Sequence, residues 1–330
     1  TYPYRNLAME EYMTLHVPQG TCILYLWQNR HTVVIGKNQN CWRECRVNFL
    51  EQEDGYLVRR LSGGGAVFHD LGNLNFTFIV GAGDYDVSRQ LDVILEAVRS
   101  LGIHAEKTGR NDITVDGRKF SGNAFYRTGD GCYHHGTILI RADKENMSRY
   151  LNVSKEKLAS KGVTSVKSRV ANLCEFKPDI TLEEVKSALV EAFSKVYGQP
   201  AVRMEEGELP QPDIDARTEK FASWQWKYGR KIPFEYEMEK RFPWGNIQIQ
   251  FHVDEGMIQD VNVFSDAMDQ EMFGALAKQL KGCGYAEEDI CRAVKAVGTD
   301  AFQAGEYTGA DEPQSCRIKE DIMTLVRESL

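Results

Sequence analysis

The chain has 330 residues, 42% of them hydrophobic and 27% charged, with a formal net charge of −8, enough for a sizeable core and room for two domains. An acidic balance argues against nonspecific nucleic-acid binding, which needs a basic face to neutralise phosphates, and neither a signal peptide nor an apolar run of about 20 residues is present to enter a membrane. The eight cysteines follow no disulfide framework or paired zinc spacing, Cys41 and Cys45 standing isolated as a pair, which suits reduced thiols in a cytoplasm. Thr1 in place of an initiator Met suggests processing or a trimmed sequence.

Cys22 to Trp27 and Thr32 to Ile35 are strand-like runs. After them comes Arg59-Arg60-Leu61-Ser62-Gly63-Gly64-Gly65-Ala66-Val67-Phe68-His69-Asp70. Consecutive glycines let a backbone approach a bound group closely, and two arginines bring charge beside it. A nucleotide phosphate loop is excluded, because Ala66-Val67 stands where Lys-Ser/Thr would be needed. The dinucleotide fingerprint is excluded too, because Ala66 to His69 and Asn75 to Val80 read as a strand pair and not as a helix. A plain turn is the alternative for any such glycine run. The Arg pair and His69 favour a ligand loop.

Leu91, Ile94, Leu95, Val98 and Leu101 then share one helical face and belong to the core. Gly109 to Ala124 is expected to form a hairpin, with Ile113-Thr114-Val115 as a strand, Asp116-Gly117 as the two-residue turn and Lys119 on the returning strand. That brings Asp112 near Lys119. Two readings stay open for the pair: an exposed ion pair worth little, or a carboxylate holding Mg²⁺ against phosphate oxygens with a lysine at the α-phosphate. Lys107, Arg110, Arg118, Lys119 and Arg127 gather positive charge around it, either as a solvated face or to meet ATP and an acidic acceptor.

His134 and His135 stand at the entrance of an apolar strand running from Gly136 to Ile140. With no third ligand in view, and none from Cys132, they are read as hydrogen-bonded structural residues rather than zinc ligands. Thr181 with Glu184 makes a capping box, followed by the core stripe Leu182, Val185, Leu189, Phe193 and Val196. Residues 205–215, with Pro210 and Pro212, read as a surface loop, and the aromatic run Phe221 to Tyr228 is expected to pack on the main domain. From Trp244, alternating Ile247, Ile249, Phe251 and Val253 lead through Asp254-Glu255-Gly256 into a returning strand that ends at Val263. Helices are expected near Asp269 to Leu280 and Glu287 to Val297. The expected domains are 1–243 and 244–330.

On these residues the chain resembles the lipoate-protein ligase A family, within the biotin and lipoate ligase superfamily of adenylating enzymes. The family loop Arg-Arg-x-x-Gly-Gly-Gly-x-Val-Phe/Tyr-His-Asp is similar to Arg59 to Asp70, and the Lys-x-x-Gly-x-Ala motif to Lys119, Gly122 and Ala124. The motif His-x-x-Leu-Leu-x-x-x-Asp is met by His135, Ile138, Leu139 and Asp143, with isoleucine for the first leucine. Further similarity runs through Asn6 to Glu11, Thr32 to Gly36, Gln39-Asn40, Gly162 to Val170 and Trp244-Gly245, so it covers nearly the whole chain.

The resemblance implies an α+β fold: a biotin/lipoate-ligase-like catalytic domain with mixed β-sheets flanked by helices, plus a small C-terminal α+β accessory domain. It implies that lipoate and ATP form lipoyl-AMP with loss of pyrophosphate, and that the lipoyl group then passes to a lysine of an acceptor protein. Lys119 and Asp112 would be catalytic, Lys119 bridging the carboxyl oxygen and α-phosphate, and Asp112 holding Mg²⁺ or orienting phosphate. Lipoate would be bound by Arg60, Ser62, Gly63, Gly64, Gly65, Ala66, Val67, His69 and His135. ATP and the adenylate would meet Arg60, Gly65, Val67, Phe68, Asn111, Asp112 and Lys119. They would also meet the loop Lys161, Gly162, Val163, Thr164, Ser165, Val166, Lys167 and Ser168, which suits a water-excluding lid.

ATP, Mg²⁺ and lipoate are thus implied as substrates and metal, with no tightly bound prosthetic group. Implied acceptors are lipoyl domains of 2-oxoacid dehydrogenase acyltransferase subunits and the glycine cleavage H protein. A cytoplasmic monomer that binds neither nucleic acid nor membrane is expected, and the accessory domain favours a complete bacterial-type ligase performing both steps. Three alternatives were weighed against it. An octanoyl or lipoyl transferase would work through an acyl-cysteine, but no cysteine lies in a nucleophile motif. A biotin-protein ligase orders its Arg- and Gly-rich loop differently, and a noncatalytic lipoyl-binding module would have no use for charge at an α-phosphate.

Overall fold

Runs of β-branched and aromatic residues with period-two patterning build a six-stranded antiparallel sheet in the computed structural model, which describes residues 1–108, 112–129, 131–152, 170–229, 231–298 and 314–330. Its strand order is β1 (Cys22–Trp27), β5 (Asn73–Gly81), β9 (Gly131–Leu139), β8 (Arg118–Thr128), β7 (Asp112–Val115) and β6 (Glu106–Thr108). The central strand β5 is buried along its whole length. Beside this sheet's elements runs a three-stranded mixed sheet, in which β2 (Thr32–Ile35) pairs parallel with β3 (Tyr56–Arg59) and antiparallel with β4 (Val67–His69). The architecture is mixed α+β.

The six-stranded sheet has two chemically different sides. Leu74, Phe76 and Phe78 of β5, with Ile113, Phe120 and Ile138, face helices α2 (Val87–Ser100) and α3 (Leu182–Tyr197) and form the main core. Asp86 caps α2 by accepting the Arg89 N–H at 3.0 Å, and Thr181 with Glu184 forms the capping box of α3. The other side carries Trp27, Asn73, Asn75, Thr77, Thr137 and His135, and α1 (Pro3–His16) lies against it through Glu10. That side is polar. In a sheet buried on both faces, polar side chains on one face need partners or a ligand.

Residues Thr1–Ile35, Trp42–Arg60 and Ala66–Lys227 form one compact unit, and Gly36–Cys41, Leu61–Gly65 and Tyr228–Leu330 form a second. The second unit is built on an antiparallel meander of β10 (Tyr236–Phe242), β11 (Gly245–Asp254) and β12 (Met257–Ser265). Its hairpin turn puts Glu255 and Gly256 at φ 48° and 73°, the two left-handed positions that a two-residue turn requires. Helices α4 (Gln270–Leu280), α5 (Glu287–Ala296) and α6 (Gln314–Ser329) pack Phe273, Leu276, Ile290, Val294, Ile322 and Val326 against Ile247, Ile249 and Phe251. Among the described residues no helix is long and apolar enough to cross a membrane.

Several local expectations need correction. β4 and β5 do not pair: β4 joins β2, while β5 joins β1 and β9. Between them Asp70 accepts the Gly72 N–H at 2.8 Å, and a Cβ on Gly72 would lie 2.1 Å from the Arg141 carbonyl oxygen. A tight turn there passes the chain from one sheet to the other. β9 begins at Gly131, so His134 and His135 are mid-strand and not at its entrance. Residues 205–215 are not all loop, because a helix runs over Gln211–Ala222 with Pro212 in its first turn, where a missing N–H costs nothing. Asn111 and residues 161–168 lie outside the described residues.

Candidate functional site

The Asp116-Gly117 turn, with φ 50° and 72°, folds β7 back on β8 and sets the position of Lys119. A bulge then decides its direction. Thr114 pairs with Lys119 and Ile113 with Ser121, so Phe120 is the extra residue, and the shift puts Lys119 on the same side as Asp112 and Gly122. Phe120 is fully buried in the core on the opposite side. Lys119 Nζ donates to Asp112 Oδ1 at 2.5 Å, and both side chains are about a quarter exposed, at 22% and 23%. A Cβ on Gly122 would lie 2.7 Å from the Lys119 Cε and Nζ, so the glycine leaves the space the ammonium occupies. The Lys119 carbonyl also accepts the Ala171 N–H at 2.9 Å.

Two strands away, α1 delivers a buried carboxylate to the same side of the sheet. Glu10, 1% exposed, accepts from Thr77 Oγ1 at 2.7 Å and from His135 Nδ1 at 2.9 Å. The Thr77 hydroxyl in turn accepts from Trp27 Nε1 at 3.0 Å. His135 is thereby oriented with its Nδ1–H directed at the Glu10 carboxylate. His69 is held by Asn29, whose amide lies 3.2 Å from its Nδ1 and is itself seated on Asn6. Burial, reinforced by the charges of Arg60 and His135, pulls the His69 pKa down to about 3, so the ring is neutral and carries its proton on Nε2. Among the described residues that Nε2 has no hydrogen-bond partner.

Arg60 is buried beside this group. Desolvation lowers its pKa to about 10, opposed by Tyr133 and Glu10, and the guanidinium remains cationic at neutral pH. Its neighbour Arg59 does different work: it donates to the carbonyl oxygens of Trp226 and Lys227 at 3.0 and 2.9 Å, and its own carbonyl accepts from Trp226 Nε1. That clamp fixes Trp226 of the aromatic stretch to the end of β3. The alternation of β4 sends Val67 and His69 to one side. Phe68 goes to the other, where it stacks on Tyr150 at 5.4 Å.

The glycine run falls in the second unit. Gly64, at φ 87°, donates its N–H to the Ala267 carbonyl at 3.0 Å, and a Cβ on Gly63 would lie 2.4 Å from the Met268 oxygen. A Cβ on Gly36 would meet the Gly64 oxygen at 2.1 Å, and the Ser62 carbonyl accepts the Lys37 N–H at 2.9 Å. Backbone packs on backbone there, so glycine is required by close approach within the protein as well as by any ligand. Thus Arg60, Val67, His69, Asp112, Lys119 and His135 belong to the first unit with Ala66, and Ser62 to Gly65 to the second.

Glu10, Trp27, Thr77 and Asn29 were not among the residues singled out from the sequence. No three His, Cys, Asp or Glu side chains group as a metal cage among the described residues. Asp112 fits Mg²⁺ in another way, since that ion takes one or two carboxylates together with substrate phosphates. Burial pushes the thiols of Cys22, Cys132, Cys283 and Cys291 up, the opposite of what a cysteine nucleophile needs.

Comparison with known proteins gives two family matches. Residues 2–194 match the lipoyl protein ligase A/B catalytic domain, and residues 231–309 match the bacterial lipoate protein ligase C-terminus. LipL1 of P. falciparum, solved in complex with lipoate, is 29% identical with a TM-score of 0.81, over 97% of this chain and 96% of that one. The bipartite lipoate protein ligase of Thermoplasma acidophilum, studied with its E2 lipoyl domain, is 27% identical at TM-score 0.61, over 70% of this chain and 94% of that one. A lipoate-protein ligase A bound with ATP is 25% identical at TM-score 0.61, over 69% and 94%.

Proposed function

Because the chain belongs to the lipoyl protein ligase A/B family, we propose that it is an ATP-dependent lipoate-protein ligase acting in lipoate salvage. The lipoate carboxylate attacks the α-phosphorus of ATP, the bond to the β-phosphate oxygen breaks, and pyrophosphate leaves. An acceptor lysine amine then attacks the lipoyl carbonyl and AMP departs, leaving an amide. The observation that carries this reading is the Lys119 ammonium, turned by a bulge onto the polar side of the sheet, paired with Asp112 and given room by Gly122.

The first step brings two anions together and the second builds negative charge on the carbonyl and departing phosphate oxygens, so positioning and charge supply the catalysis. Lys119 bridges the lipoate carboxyl and the α-phosphate. Asp112 would hold Mg²⁺, which screens the phosphate charge when bound. Arg60, kept cationic while buried, attracts the same anions, and His69 and His135 line the lipoyl site with Val67 and Ala66. Ser62, Gly63, Gly64 and Gly65 give backbone contacts to lipoate. Phe68, Asn111 and residues 161–168 take part in adenylate binding in this reading. Residues 1–243 carry the chemistry and 244–330 the accessory role, in a cytoplasmic monomer.

Lipoyl domains of 2-oxoacid dehydrogenase complexes are the proposed acceptors, in keeping with the T. acidophilum relative and its E2 lipoyl domain, and the glycine cleavage H protein is the second. The test is lipoate-dependent exchange of labelled pyrophosphate into ATP with Mg²⁺, followed by transfer to a lipoyl domain. Exchange is expected. Absence of exchange with transfer from preformed lipoyl-AMP retained would replace the ligase by a transferase.

A further inference from the structure

Asn73 and Asn75 sit on the polar side of β5, 0% and 1% exposed, in no role assigned above. Asn73 Nδ2 donates to Asn75 Oδ1 at 2.9 Å. Among the described residues that leaves Asn75 Nδ2 and Asn73 Oδ1 without a partner. Turning both amides over merely exchanges which donor and acceptor are left, and turning one sets like against like. A buried amide donor without a partner destabilises the fold, and its retention needs a reason.

Its place in the sheet supplies one. Asn75 lies opposite Trp27 on β1 and Thr137 on β9, and Thr137 Oγ1 accepts the Gly122 N–H at 3.3 Å. Gly122 abuts the Lys119 ammonium. Gly122, Thr137, Asn75 and Trp27 thus form one cross-strand row, and two strand spacings, roughly 9–10 Å, separate Asn75 from the glycine beside the lysine. At the far end of that row the Trp27 ring lies 6.4 Å from the His69 ring, whose Nε2 also lacks a partner among the described residues.

We propose that Asn75 determines acyl specificity by presenting its amide N–H to a dithiolane sulfur, so that lipoate is preferred over an unsubstituted chain of equal length such as octanoate. The inference rests on the ligase reading. With its carboxyl at Lys119, an extended octanoyl-length chain reaches the Asn75 row with the distal carbons that bear sulfur in lipoate. A ring sulfur is a weak, polarisable acceptor. A methylene is none, and a site holding a buried polar group penalises the ligand that leaves it unpaired.

The experiment is calorimetric titration of the whole chain with lipoate and with octanoate, in the unmodified protein, Asn75→Leu and Asn75→Thr, with thermal melting to verify folding. Asn75→Leu should lower the ratio of lipoate to octanoate affinity by about fivefold or more, the scale of one hydrogen bond. Asn75→Thr, which keeps a hydroxyl donor on that side, should retain part of the preference. A ratio unchanged in every folded variant overturns the Asn75 assignment while leaving the ligase reading standing. Failure of the unmodified protein to bind either acid overturns both. Should Asn75→Leu fail to fold, Asn75→Ala carries the same comparison.

Discussion

The two sides of the six-stranded sheet share every strand yet solve opposite problems. The side facing α2 and α3 is closed by Phe76, Phe78, Ile94, Val98 and Leu189, all within 2% of complete burial. The side facing α1 is as deeply buried at Thr77, Asn75 and Asn73, but with polar atoms, some lacking a partner among the described residues. Close packing stabilises the first. On the second, the ligase reading has stability give way to chemistry, so substitutions there should separate function from folding.

The sharpest break comes from the apolar side. Phe76→Ala should lower the free energy of unfolding by about 3–5 kcal/mol, measured by denaturant titration, with pyrophosphate exchange per folded molecule little changed. Lys119→Ala should do the reverse, cutting lipoate-dependent exchange by about 10²–10³-fold, as expected for one lost electrostatic stabiliser. Its pair with Asp112 is partly exposed, so the unfolding midpoint should barely move. A Lys119→Ala protein with normal exchange would remove the residue from the chemistry.

A pair of glycines on adjacent strands makes the comparison finer. A Cβ on Gly136 would meet Phe76 Cζ at 2.5 Å and the Gly122 carbonyl oxygen at 2.7 Å, so Gly136→Ala should destabilise by about 1–3 kcal/mol. On Gly122 the Cβ meets the mobile end of Lys119. Gly122→Ala should therefore leave the melting temperature nearly intact while displacing the ammonium, reducing exchange by up to about 10²-fold. Equal stability losses in the two variants would erase the distinction between the sides.

A further effect appears only when the pH is changed. Burial, aided by neighbouring positive charge, holds His69 of the three-stranded sheet and His134 on the apolar side of the six-stranded sheet at pKa values of about 3, below the ordinary 6.5. The unfolded chain takes up protons between these limits that the folded protein refuses, so stability rises with pH across the window. It should be complete above about 6.5 and be lost as pH falls toward 3. Melting temperatures across that range, with His69→Gln and His134→Gln each flattening the slope, provide the measurement.

The sequence by itself determined what short-range chemistry controls. The stripes of α2 and α3, the capping box at Thr181, the hairpin turns at Asp116-Gly117 and Glu255-Gly256, and the nearness of Asp112 to Lys119 all rest on period, cap or turn within a few residues. The family motifs were legible for the same reason, being contiguous. Tertiary structure alone decided which side of the sheet Lys119 occupies, because a bulge at Phe120 shifts the strand parity by one and no pattern in the sequence announces it. It also decided that β4 and β5 part company, and that Gly63 and Gly64 pack on backbone at Ala267 and Met268, about two hundred positions away in the chain. Glu10 meets His135 across 125 residues for a similar reason. A buried carboxylate must find donors wherever the folded chain supplies them, and that choice is made by packing rather than by spacing.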